Sequence, residues 1–488
     1  MKHPVAICLL YFLMGNALFA QEQIGMRLEN HAGVYSLSLQ PAGNLTNPLK
    51  WDIHLASAGF FADNNYLFIA QTNTFDLWRR ADTDPFLTVP DLEGPPPADA
   101  FLIDYFKGNK RRFAHLNVDI SGPGLALKIG DDQSVALFTK MRIAGGAPRL
   151  QTQFGYYEYQ QRPLLTTFSI SNFEGAFAAW SEIGLNYARL FPNTAGSLGA
   201  GLNLRFLTGY EAAWLRMDGG GSYEKVSENA ARVRFPGLDF GFTTSNLNAD
   251  QNDFKLQKNG AGIAFDVGVF QLVEGSEKVY DYKIGVSLLD VGFIHFNSNT
   301  SAFQISTDSA TIIGGDVYNQ YTQLSDLEEA ARTLSQQTLQ NPDAARSGNT
   351  KKLWLPAALS IQGEYAFSDQ LFLNALLIQR IPMPGVGLSR ENLLAFTPRF
   401  EHRWGAVSLP VSVYNWQGFR VGSAARLAFL TLGTDNLGSW FGRSDYTGTD
   451  FYVGLKIQFS GDTNGGFGGS GSSPRRRSGR SKVRCYQF

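Results

Sequence analysis

What most constrains this chain is a two-residue rhythm of polarity, repeated in runs of roughly ten residues with turns between them. The last run is the clearest. Phe451, Val453, Leu455, Ile457 and Phe459 share one parity, and Tyr452, Gly454, Lys456 and Gln458 share the other. Successive side chains of a strand point to opposite faces, so a period of two predicts a strand with one apolar side. The run is also as long as the roughly 9–11 residues with which a tilted strand crosses a bilayer. The same rhythm sets Ile183, Leu185 and Tyr187 against Glu182, Gly184 and Asn186, and Leu202, Leu204 and Phe206 against Gly201, Asn203 and Arg205. It returns in Ile263–Val269, Ile284–Leu288, Leu359–Tyr365, Val407–Val413 and Val421–Phe429. In hydrocarbon an unpaired backbone N–H or C=O costs several kcal/mol, so strands of this kind must close into a barrel with no free edge. The expected fold is therefore all-β, a transmembrane antiparallel β-barrel over 50–460, with about 14 to 16 segments between Trp51 and Phe459.

Composition fits a wall that faces lipid. Charged residues are 17% of the 488, against about 25% in an average soluble domain. Aromatic content is 13%, with 51 glycines. Trp51, Phe60, Phe61, Trp404, Trp416, Trp440 and Phe459 are candidates for the interfacial girdles. The net charge of -1 gives no general field for nucleic acid. Lys2, the apolar run Val5–Met14 and the small Ala20 read as a secretory leader over 1–20, cleaved before Gln21. That run is too short for a helical span. Cys8 lies in the leader and follows Ile7, which does not suit a lipoprotein signal. The mature chain would keep only Cys485, so neither a disulfide nor a cysteine metal site is expected.

Turns and loops punctuate the strands. Gly130-Asp131-Asp132-Gln133 reads as a tight hairpin, and Asp63-Asn64-Asn65 as another after the first strand. Residues 79–112, with Pro95-Pro96-Pro97, read as an irregular loop, and 298–351 as the largest interruption. Within the latter, Ser325-Asp326-Leu327-Glu328 resembles a capping box before a helix reaching about Gln340, which would be a lid, a plug or a solvated loop helix. Residues 461–488 form a Gly/Ser-rich linker and a basic tail with Arg475, Arg476, Arg477, Arg480, Lys482 and Arg484, a disordered segment by composition. With an even strand number both termini would be periplasmic.

The inward parity carries charge. Glu182, Asp266, Glu364 and Glu401 share the expected lumen with Arg205, Lys283, Arg399, Arg403, Arg420, Arg426 and Lys456. An Arg or Lys facing lipid at the midplane costs about 2–4 kcal/mol, so energetics alone send these groups inward. They would brace the wall and a plug, or form a polar constriction. Asp290 breaks the rule by sharing parity with Ile284, Val286 and Leu288, so a bulge or the end of the strand must intervene. His31, His54, His115, His295 and His402 are not at metal-ligand spacing, and no Gly-x-Ser-x-Gly elbow is present. Gly219-Gly220-Gly221 lacks the strand-to-helix setting of a phosphate cradle. No catalytic residue, cofactor or metal is expected.

Several segments resemble outer-membrane proteins of the long-chain fatty-acid transporter superfamily, and more closely a Bacteroidota branch known as a family of unknown function. They are Gln21-Glu22-Gln23-Ile24-Gly25-Met26-Arg27, Gln40-Pro41-Ala42-Gly43-Asn44, Phe61-Ala62-Asp63-Asn64-Asn65-Tyr66, Trp180-Ser181-Glu182-Ile183-Gly184-Leu185, Ser287-Leu288-Leu289-Asp290-Val291-Gly292 and Leu355-Pro356-Ala357-Ala358-Leu359. Where the superfamily usually has Asn-Pro-Ala, this chain has Gln40. The resemblance implies about 14 strands, with residues 21–49 folding inward as a hatch. It also implies either passage of small hydrophobic molecules or a non-conducting barrel that partners exported proteins or a secretion system. The expected partners are outer-membrane lipid, the barrel assembly machinery, and a hydrophobic small molecule or an exported protein. Face assignment makes a direct forecast: Leu455→Arg should block insertion, and Lys456→Ala should be mild.

Overall fold

A computed structural model describes residues 22–459 apart from 90–91, 93, 109–110, 156–161, 246–255, 274–277, 279 and 322–325. The expected leader, the expected linker and tail, Ser325, Cys8 and Cys485 lie outside the described residues.

The alternating runs become the staves of a closed, 14-strand antiparallel barrel. In chain order these are β1 (Trp51–Asn64), β2 (Arg112–Ile129), β3 (Gln133–Leu150), β4 (Phe173–Asn193), β5 (Gly196–Met217), β6 (Gly260–Val273) and β7 (Tyr282–Phe296). Then come β8 (Lys351–Trp354 and Ala358–Ala366), β9 (Leu371–Arg380), β10 (Leu393–His402) and β11 (Gly405–Ser408 and Val411–Tyr414). The wall finishes with β12 (Gly418–Val421 and Ser423–Leu427), β13 (Leu430–Thr434) and β14 (Gly448–Phe459). Each strand pairs with its neighbour in the chain. Closure comes from β1 against β14, with Trp51 opposite Phe459 and Asp63 opposite Gly448. Every strand of the wall then has a neighbour on both sides, as hydrocarbon demands. No helix among the described residues is long and apolar enough to cross a membrane.

The wall is inside out relative to a soluble protein. Ile183, Phe206, Ile284 and Val407 are at least half exposed, whereas Arg399, Arg426 and Lys456 are almost wholly buried. Bulges reverse this alternation part-way along several strands, among them β1 and β7. In β1 both Leu55 and Ala56 are exposed at a register shift against β14, which moves the inward set from Asp52 and His54 to Ser57, Gly59 and Phe61. Phe61 therefore points into the lumen and is not a girdle residue. In β7, Leu289 and Asp290 together oppose Asp266, and Asp290 adopts φ 55°. This bulge turns Asp290 inward with Gly292, Ile294 and Phe296. Of the other girdle candidates, Trp51, Trp404 and Trp416 are exposed and Phe60 is half-buried. Trp440 lies off the strands and donates Nε1–H to the carbonyl of Asp450 at 2.9 Å.

One barrel end carries tight connections such as 130–132, where Ile129 faces Gln133 across the expected hairpin, together with 194–195, 403–404 and 428–429. The other, the loop end, carries the long ones. The chain does not double back at Asp63-Asn64-Asn65. Asn64 Oδ1 accepts from the N–H groups of Tyr66 and Leu67 at 2.8 and 2.7 Å and turns the chain into a small sheet. That sheet is built from Leu67–Thr72, Phe86–Thr88, Phe101–Tyr105 and Ser444–Tyr446, so 79–112 is more ordered than its prolines suggest. A second small sheet joins Thr167–Ile170, Gly221–Lys225, Ala230–Arg234 and Thr311–Gly314. The helix expected within 298–351 spans Leu327–Leu339. Its Glu328 accepts from Ser301 Oγ at 2.6 Å and pairs with Arg346, so it is not spent on a capping box. Ala331 packs this helix on Phe303 and Ile305, against the loop-end extension of the wall.

Candidate functional site

The lumen is where sequence, charge and packing converge. Residues 24–28, 32, 34–37 and 39–42 are buried against the inner wall as α1 (Ile24–Arg27) and short 3-10 turns at Gly33–Ser38 and Gly43–Thr46. Small inward residues of the wall make the room. A Cβ on Gly201 would lie 2.5 Å from the Pro41 carbonyl, and one on Gly268 would lie 2.6 Å from Pro41 Cδ. On the segment's own side, a Cβ on Gly25 would meet Ala424, Tyr452 and Ser408 at 2.3–2.6 Å. Gln40 anchors the middle of the segment: its Nε2 donates to the Val269 carbonyl at 3.2 Å and its Oε1 accepts from Ala42 N at 3.3 Å.

Charge holds the segment in two tiers. In the tier nearer the tight turns, Arg399 Nη2 meets Glu364 Oε2 at 2.6 Å and its Nε pairs with Glu401. Lys283 Nζ lies 3.0 Å from Glu364. The N-terminal segment joins this tier through Glu29, which accepts from Arg426 Nε at 2.6 Å, and through Asn30 N, which donates to Glu401 at 3.1 Å. Lys456 donates to the His31 carbonyl, and Asp52 accepts from Val34 N at 3.2 Å. Tyr280, just before β7, donates to Asn30 Oδ1 at 3.0 Å, and burial followed by the Glu364 carboxylate pushes its phenol well above the ordinary range.

The second tier lies about halfway up the wall. Arg205 reaches Glu182 at 2.9 Å, Asp266 at 2.6 Å and Asp290 at 2.9 Å. Arg142 meets Asp290 at 2.7 Å. Arg390, from the connection between β9 and β10, closes the tier by donating to Asp290 at 3.3 Å and to both oxygens of Glu22 at 2.8 and 2.5 Å. Arg27 meets Asp119 at 2.8 Å. Ile24 N donates to Asp435 at 3.3 Å. Burial, then the neighbouring Asp450 carboxylate, pushes the Asp435 carboxyl well above the usual range, which favours its protonated form.

Of the residues picked out by parity, Glu182, Arg205 and Asp266 meet in the second tier, and Lys283, Glu364, Arg399, Glu401, Arg426 and Lys456 in the first. Arg420 stands apart from both, paired with Asp63 and stacked 4.3 Å over the Tyr414 ring. Arg403 is a correction. β10 ends at His402, so Arg403 sits exposed in the tight turn, stacked 4.9 Å over Trp404. Sequence reasoning missed Glu22, Arg27, Glu29, Asp52, Asp119, Arg142 and Arg390. Glu22, Arg27, Glu29 and Arg390 lie off the strands, where parity says nothing. Asp119 and Arg142 belong to strands whose alternation could have yielded them.

Beyond the second tier the lumen changes character. Trp180, Leu207, Trp214, Ile294, Phe296, Leu353, Leu355, Val386 and Leu388 form one buried apolar cluster towards the loop end. Two small cavities flank the N-terminal segment. One is lined by Arg27, Glu29, Gln40, Lys283 and Glu364, the other by Glu22, Arg27, His115, Asp119, Ser389 and Arg390. Each has room for only one to three waters or so.

The chain belongs to the Family of unknown function (DUF5723), whose model matches residues 41–435. No curated protein matches it. Among solved structures it is similar to a deletion mutant of the monoaromatic hydrocarbon channel TodX, at 8% identity over 88% of this chain and 95% of that one, with a TM-score of 0.39. It is also similar to the translocator domain of the autotransporter NalP from Neisseria meningitidis (9% identity, 88% and 96% covered, TM-score 0.31). A Pseudomonas aeruginosa FadL homologue is matched at 9% identity, with 92% and 96% covered and a TM-score of 0.21. Likenesses this distant carry no argument about activity.

Proposed function

We propose that this member of the DUF5723 family is an outer-membrane barrel for the passage of small hydrophobic molecules, with its N-terminal segment as a hatch that must shift to open the path. The short-turn end, and with it both termini, would face the periplasm, and the long connections the outside. The observation that carries the proposal is the order of materials along the axis: a buried apolar cluster under the loops, then a hatch fastened to the wall by ion pairs and hydrogen bonds as well as by apolar contacts. Once the hatch has shifted, these apolar side chains would favour apolar solutes, because moving them out of water is favourable by roughly 25 cal/mol per Å² buried. Opening the hatch breaks ion pairs whose charges entering water solvates, and also unpacks the contacts of Ile24, Leu28 and Tyr35 with the wall.

The test is uptake of a fluorescent hydrophobic solute into liposomes holding a variant with Arg27→Cys and Asp119→Cys, positions whose native side chains meet at 2.8 Å. Joined by a bismaleimide, the pair should stop uptake; unlinked, uptake should match or exceed that of the native chain. Equal uptake with the link in place would refute the hatch. A second reading, a non-conducting partner barrel for exported proteins, is favoured by the structured sheets over the loop end and by the water-sized cavities. It predicts no uptake in any form, and co-purification of a stoichiometric partner.

A further inference from the structure

One exposed aromatic patch lies off the lipid-facing strands. α2 (Thr74–Arg80) buries Leu77 and turns Phe75, Trp78 and Arg79 outward, a spacing of three and four that places them on one face. Beside it, α3 being the Leu327–Leu339 helix, α4 (Leu437–Phe441) presents Phe441. Trp78 is 74% exposed and Phe441 73%, among the highest values of any large apolar side chain in the protein. The two helices are fastened together, since Thr74 Oγ1 lies 2.9 Å from the Ser439 carbonyl and 2.9 Å from Thr449 Oγ1 on β14. β13 stops at Thr434, and α4 follows it between β12 and β14, touching both. Its Trp440 ring is 6.0 Å from Phe451, and Phe419 on β12 is 71% exposed. The patch is thus continuous with the lipid-facing wall.

We propose that α2 and α4 are a membrane foot, seated in the interface of the lipid leaflet at the loop end. Trp and Phe side chains at the edge of an apolar wall partition to the head-group boundary. Arg79, whose guanidinium lies 5.6 Å over the Phe75 ring, would stand at the level of lipid phosphates while its stem covers apolar surface. A lipid occupant fits better than a protein one because the patch adjoins an existing lipid face and is edged by the cations Arg79 and Arg443. The foot fixes the height of the loop-end sheet that α2 follows in the chain.

The test uses the full chain with Cys8→Ser and Cys485→Ser, reconstituted in phosphatidylcholine/phosphatidylglycerol liposomes. An environment-sensitive NBD label is placed at Trp78→Cys, Phe441→Cys or Leu165→Cys; the last is a control, 73% exposed, beside the other loop-end sheet. Heat-modifiable migration confirms that each variant is folded. The labels at 78 and 441 should be blue-shifted and quenched several-fold more by a head-group-proximal nitroxide lipid than by aqueous iodide, with the reverse at 165. Iodide quenching at 78 and 441 as strong as at 165 would overturn the foot. So would labels that are wet in liposomes but shielded in native outer membranes, an outcome that would point to a protein occupant.

Discussion

At the scale of single residues, the lumen depends on charges that are wholly desolvated and therefore need their partners. Arg205 pairs with three carboxylates at once, those of Glu182, Asp266 and Asp290. Arg205→Met should cost about 3–5 kcal/mol, because it strands buried charge. A lowered urea midpoint for loss of heat-modifiable migration would register this, and an unchanged midpoint would contradict the assignment. Asp435 makes a pH prediction of definite sign. Its folded-state pKa lies above the unfolded value of about 3.9, so its contribution is fully present below that value and is lost as pH rises through the raised one. Tryptic cleavage after Arg27 should therefore accelerate as pH rises through that range, by more than trypsin's own pH profile explains. Asp435→Asn, whose amide oxygen still accepts from Ile24 N, should flatten the excess. Parity made half of this site legible: it found Glu182, Arg205 and Asp266 but not Arg390 or Glu22. Those two meet across 368 residues, and neither lies on a strand.

At the scale of the strand, the forecast for β14 divides. Leu455 faces lipid, and an Arg there would cost up to about 2–4 kcal/mol, so Leu455→Arg should fail to insert as judged by heat-modifiable migration. Lys456→Ala should still insert but will not be mild. Its ammonium is buried and donates to the His31 carbonyl beside Asp52, so its loss should loosen the N-terminal segment and raise protease access at Arg27. Alternation identified the strands because lipid imposes a period of two on every stave. It could not locate the bulges, since one inserted residue leaves each half-strand looking regular. The Leu55–Ala56 bulge therefore hid the inward turn of Phe61, whereas at Asp290 a charge on the wrong parity exposed the irregularity directly.

At the scale of the whole molecule, closure was the most legible property, because it follows from the backbone's need for partners. The loop-end sheets were the least legible. Their strands are as short as Phe86–Thr88 and pair across hundreds of residues, as Ile69 does with Tyr446, so no local rhythm announces them. The lumen follows from both: a wide closed wall with polar inward positions would leak unless something filled it, and residues 22–47 fill it. The most direct test is single-channel conductance in planar bilayers of the native chain and of a variant lacking residues 22–47, with folding of each checked by heat-modifiable migration and β-sheet circular dichroism. The native barrel should be closed or flicker rarely, and the deletion should conduct steadily. A folded deletion variant as silent as the native chain would contradict the account, because the lumen would then be sealed by the wall and loops alone.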